Sequence, residues 1–131
     1  MFTLEQISQA HSKVKSGADF PQYIQDLIQL DVLHYSTFVD DGHTIYFGKD
    51  NHHVQSPAKY PALKIAGHSN KEKFAQDLKN HQQGKTDYPT FCSDAADAGV
   101  EKWTVDIAKM TCTYYDKHGN MLVSENIPLP K

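Results

Sequence analysis

The sequence predicts an α+β fold, in which two helix-helix-hairpin units form one antiparallel sheet with helices packed on one face. Three observations carry this expectation. Two pairs of segments, between residues 3 and 30 and between 69 and 99, space their apolar residues at helical period between capping residues and glycine stops. Each pair is followed by β-branched and aromatic runs broken by Asp, Asn and Gly turns. The second half also repeats the punctuation of the first.

Thr3 with Gln6 three residues later is a capping box, so the first helix runs from Leu4 to Lys15, with Leu4, Ile7, His11 and Val14 on one face and Gly17 as its stop. Asp19 starts a second helix that tolerates Pro21 in its first turn, where the missing amide would be unpaired anyway. Phe20, Tyr23, Ile24, Leu27, Ile28 and Leu30 form its wide apolar stripe. Val32 to Val39, the turn Asp40-Asp41-Gly42-His43 and Thr44 to Phe47 then read as a β-hairpin. After Gly48-Lys49-Asp50-Asn51, short strands are expected at His53 to Ser56 and at Leu63 to Ala66. Ser69 and Glu72 form another capping box, and a third helix presents Phe74, Leu78 and His81 before stopping at Gly84. Asp87-Tyr88-Pro89 opens a fourth, with Tyr88, Phe91, Cys92 and Ala95 inward and Gly99 as stop. A hairpin of Lys102 to Ile107 and Thr111 to Tyr115 follows. A strand from Met121 to Ile127 and a frayed Pro128-Leu129-Pro130-Lys131 tail complete the chain.

Residues 19 to 47 set against 87 to 115 match at Asp19/Asp87, Pro21/Pro89, Asp26/Asp94, Val32/Val100 and Tyr46/Tyr114 without a gap. Aromatic replaces aromatic at Phe20/Tyr88, Tyr23/Phe91, Tyr35/Trp103 and Phe47/Tyr115. These are caps and core positions that a shared backbone would dictate, so residues 3 to 47 and 70 to 115 are read as pseudo-repeats within one domain spanning residues 1 to 131. The bland alternative is two unrelated helix pairs with ordinary punctuation.

Composition narrows the function classes. The chain has 131 residues, 13 Lys+Arg against 16 Asp+Glu and a net charge of −3; all its basic residues other than histidine are lysines. Without a guanidinium fork, bidentate recognition of guanine, phosphate or carboxylate loses weight. The acidic balance likewise speaks against nucleic acid and anionic membranes as partners. Two cysteines fit a reduced compartment. The first residues carry no signal-peptide pattern, and no uninterrupted apolar run exceeds three residues. A cytoplasmic protein is expected.

Candidate chemistry is sparse. Gly84-Lys85-Thr86 looks like the end of a phosphate loop, but the glycine required five residues earlier is Lys79. Eight histidines occur without HExxH or paired metal spacing, so no metal and no cofactor are expected. His52 and His53 are adjacent, and in a strand they point to opposite faces. Cys92, in the second turn of its helix, is a weak candidate nucleophile, with His43 as a weak candidate partner; core packing is the competing reading. The aromatic set is more specific to this chain. Tyr35 and Trp103 occupy equivalent strand positions, and one member of Tyr46/Phe47 and one of Tyr114/Tyr115 must leave the helix-covered face. Tyr35, Tyr46, Trp103 and Tyr114 are the expected partner or ligand surface, unless they fill a second small core.

Ala10 to Pro21, Asp41-Gly42-His43 with Tyr46-Phe47-Gly48, Gly84 to Cys92, and Glu101-Lys102-Trp103 with Met110 to Asp116 resemble the bacterial domain of unknown function numbered 1398 over nearly the whole chain. Its members often carry the label "phage envelope protein". The resemblance implies a prophage-associated or bacterial cytosolic protein and brings no agreed activity or catalytic residues. Two functions follow as expectations. The first is a non-catalytic binding or interaction module, self-associating as a homodimer through an aromatic sheet surface or sheet edge. The second is a small ligand-binding protein or enzyme with a His/Cys/Asp pocket between sheet and helices. The partner, protein or small molecule, is left open.

Overall fold

The first helix, α1 (Leu4–His11), starts on the expected capping box: the Gln6 amide donates to Thr3 Oγ1 at 3.2 Å and the Thr3 amide to Gln6 Oε1 at 2.9 Å. It stops earlier than its apolar spacing suggests. The Ser12 hydroxyl donates to the Gln9 carbonyl at 2.6 Å, competing for a last-turn acceptor. The computed structural model describes residues 2–14 and 19–127, so the stop at Gly17 and the tail after Ile127 lie outside the described residues.

The other helices are α2 (Phe20–Gln29), α3 (Lys71–Gln82) and α4 (Tyr88–Asp97), with proline in the first turn of α2 and of α4. Asp87 caps α4 by accepting from the Thr90 amide at 2.9 Å. The cap of α3 is Asn70, one residue beyond the expected Ser69, accepting from the Lys73 amide at 3.0 Å. No helix among the described residues is long and apolar enough to cross a membrane.

Among the described residues three strands follow each helix pair: β1 (His34–Phe38), β2 (Thr44–Phe47) and β3 (His53–Gln55) after the first, β4 (Val100–Asp106), β5 (Thr111–Asp116) and β6 (Met121–Asn126) after the second. They form one antiparallel sheet in the order β3-β2-β1-β4-β5-β6. The fold is therefore α+β, with four α-helices among the described residues set against a six-stranded sheet. Each half contributes three strands, one beyond its hairpin.

The expected strand at Leu63 to Ala66 does not form. Pro57 and Pro61 interrupt the approach, and the Leu63 and Ala66 amides donate instead to Asp40 and Ala96 carbonyls. That segment ties the first hairpin turn to α4 and buries Ile65.

The register is the feature that positions the site. Tyr35 lies opposite Tyr46, and Trp103 opposite Tyr114, so the inner hairpins of the two halves pair alike. At the centre Ser36 lies opposite Thr104, a residue 68 positions later, and their hydroxyls are 2.9 Å apart. Strand alternation then divides the sheet into two faces. One is covered by the helices through Ile7, Tyr23, Ile24, Leu27, Phe74, Leu78, Phe91 and Ala95. The other carries no helix among the described residues.

Candidate functional site

Three cross-strand rows make up the uncovered face. The outer row on one side is His53, Phe47, His34, Asp106, Thr111 and Asn126. Its first three rings form a ladder, with Phe47 stacked on His34 at 4.6 Å and 17° and lying 6.2 Å from His53. The outer row on the other side is Phe38, Lys102, Tyr115 and Met121, extended by His43 just before β2. The His43 ring stacks on Phe38 at 4.5 Å and 4°. Lys102 Nζ sits between two rings, 5.9 Å from Phe38 and 5.7 Å from Tyr115. Between these rows run Ile45, Ser36, Thr104, Thr113 and Ser124, tied by hydroxyl contacts at 2.9 Å (Ser36 to Thr104) and 3.0 Å (Thr113 to Ser124). Most of this face is half-buried by its own neighbours, and Met121 is 62 % exposed.

The four residues expected to form the partner surface lie on the other side. Tyr35, Tyr46, Trp103 and Tyr114 are all buried under the helices. Tyr114 packs against Phe74 at 4.9 Å and Trp103 at 5.8 Å, and the Tyr46 hydroxyl meets that of Tyr23 at 3.4 Å. Burial drives the Tyr35, Tyr46 and Tyr114 phenols upward, so they stay protonated and neutral. Their chain neighbours Phe47 and Tyr115 take the open positions. The deciding signal is in β4, where Trp103 and Val105 alternate with Lys102, Thr104 and Asp106, while Val100 reaches the buried side only through a break in register between it and Lys102. A set of tryptophan and valine set against lysine, threonine and aspartate belongs to the core, and Tyr35, equivalent to Trp103, goes with it.

Cys92 and His43 are not brought together. Cys92 is 1 % exposed, and burial raises its thiol while the hydroxyls of Tyr60 and Tyr88 pull it partly back. Such a thiol is protonated at neutral pH and a poor nucleophile. Cys112 is likewise buried, its thiol pushed up to about 12 by burial. His43 is held at the hairpin turn, where its backbone amide and ring Nδ1 both donate to Asp41 Oδ1, and those bonds lower the Asp41 carboxyl. His52 is also engaged, its Nε2 donating to the Phe2 carbonyl at 2.8 Å.

Asp40, Asp41 and His43 have ligand-type atoms within 4.8 Å of one another, a grouping that the lack of metal motifs did not announce. The ring nitrogen nearest the carboxylates is already spent on Asp41, and Asp40 is exposed. Two shallow clefts flank the helix layer. One, of about 270 Å³, lies among His68, Gly99, Asp116 and His118; the other, of about 280 Å³, among Ile7, His11, Tyr46 and Lys59. Neither contains Cys92 or His43.

Compared with protein families, residues 8–126 match the one described as "protein of unknown function (DUF1398)". The chain belongs to this family. The match takes in α2, α3, α4 and all six strands, so the DUF1398 region carries the open face and the layer that backs it. A comparison with curated proteins finds no match.

Proposed function

We propose that this DUF1398 member is a non-catalytic interaction module whose working surface is the open face of its sheet. One observation carries the reading: a continuous six-stranded face, free of helices among the described residues, presents Phe38, Ile45, Phe47, Tyr115 and Met121 among histidines and hydroxyls. Aromatic and methionine side chains gathered on an exposed surface are the composition of interface cores. The Cys/His enzyme alternative lacks its activated thiol, because Cys92 is buried with tyrosine rather than histidine partners. A bacterial, prophage-associated setting and a cytoplasmic location belong to the same proposal.

A common origin of residues 3 to 47 and 70 to 115 in one duplicated unit is part of it too. The support is the matching hairpin registers and the central pairing of Ser36 with Thr104.

The test uses a benzophenone attached through Thr113→Cys on the open face, compared with Gln76→Cys on α3. On irradiation in bacterial extract, position 113 is expected to give discrete protein adducts well above those at position 76. Equal or absent adducts at 113 would sink the reading.

A further inference from the structure

We infer that the occupant of the open face is a second copy of this chain, seated face to face about a twofold axis perpendicular to the strands. The inference rests on the open-face reading above and adds the partner and its geometry. It comes from the placement of charge. Among the ladder-paired positions of this face only Lys102 and Asp106 are full charges, and both lie on β4, one same-face step to either side of Thr104. Same-face neighbours are roughly 6.8 Å apart along a strand. An axis running along the row Ile45, Ser36, Thr104, Thr113, Ser124 therefore sets each Lys102 over the partner's Asp106, twice by symmetry.

The same operation serves the rings. It lays His34 over the partner's Phe38 and His43 over the partner's Phe47, each pairing occurring twice. The residues on the axis are mostly small and hydroxylated, which lets two sheets approach while the longer side chains interleave on both sides. Turning a twisted sheet about this axis also reproduces its own saddle, so the two faces stay parallel out to their edges. A twofold axis along the strands would instead set Lys102 against His43-side residues of the other half and leave Asp106 opposite His34, matching neither lysine with a carboxylate. Lys102 has no carboxylate of its own chain within 4 Å among the described residues, so its charge is available for such a pair.

Sedimentation of the purified full chain decides the matter, with thermal unfolding confirming that each variant is folded. The wild type is expected to dimerise. Lys102→Glu or Asp106→Lys alone sets like charges together at both ends and should weaken the dimer at least about tenfold, whereas the double exchange should restore it. Asp106 also accepts from the Lys109 amide at 3.1 Å, so a loss in Asp106→Lys alone could reflect the turn; recovery in the double variant could not. A wild type that stays monomeric while position 113 still collects adducts overturns the second copy and leaves the open-face reading standing. A dimer indifferent to both reversals overturns the inference as well, since it must use another surface, such as the free edges β3 and β6.

Discussion

Trp103 and Phe47 are both strand aromatics, yet the two faces assign them opposite consequences. Trp103 is packed among Phe91, Tyr88 and Tyr114, and its truncation leaves a cavity that the covering helices cannot fill. Trp103→Ala should cost about 3–5 kcal/mol in urea unfolding. Phe47→Ala removes a half-exposed ring stacked on His34 and should cost less than about 1.5 kcal/mol. Comparable losses would mean that the faces are misassigned. The sequence made it legible that Tyr46 and Phe47 must part, and Tyr114 and Tyr115 likewise. Which member goes inward was readable only through Val105, two residues from Trp103 on β4, because tyrosine and phenylalanine suit either face. Cys92 shows a similar limit: its helical position was legible, while the tyrosine hydroxyls around it come from a distant loop and from its own helix, and no spacing announces them.

Among the elements, the starts of α1 and α4 were legible because their caps are local, while the cap of α3 falls on Asn70, one residue past the expected Ser69. Thr3 with Gln6 and Asp87 with Thr90 close their bonds within three residues. The strand expected at Leu63 to Ala66 was not, since its amides are claimed by Asp40 and Ala96, residues that only the tertiary fold brings near. The stop of α4 gives a test of this level. Gly99 has φ +86, and a Cβ there would come within 2.7 Å of the His68 carbonyl oxygen and of Ser69 Cα. Gly119 has φ +80 with nothing near its Cβ position. Gly119→Ala should therefore lose only the left-handed penalty of about 1–2 kcal/mol. Gly99→Ala should lose clearly more, because the obstruction is backbone that cannot swing aside. Equal losses by thermal unfolding would show that the loop before α3 does not press on the α4 stop.

At the scale of the whole molecule, the two halves meet across β1 and β4 with the hydroxyls of Ser36 and Thr104 facing each other. Three strands per half leave a face wide enough to be a contact surface, and α1 to α4, on the far side, back it without obstructing it. The α+β class and the one-sided helix layer were legible from periodicity and turns, but the three-row pattern was not. It depends on the pairing of β1 with β4, which joins strands from opposite halves and has no local signal. Ser124, exposed at the rim of the middle row, lies on the inferred twofold axis and so beside its own copy. Both native cysteines are buried, so a thiol placed there is the one that reacts. The most direct measurement is therefore treatment of Ser124→Cys and of Gln76→Cys with a short bismaleimide at equal concentration. A covalent dimer from position 124 and not from position 76 is the predicted result; a dimer from position 76, or none from 124, would contradict the face-to-face assembly.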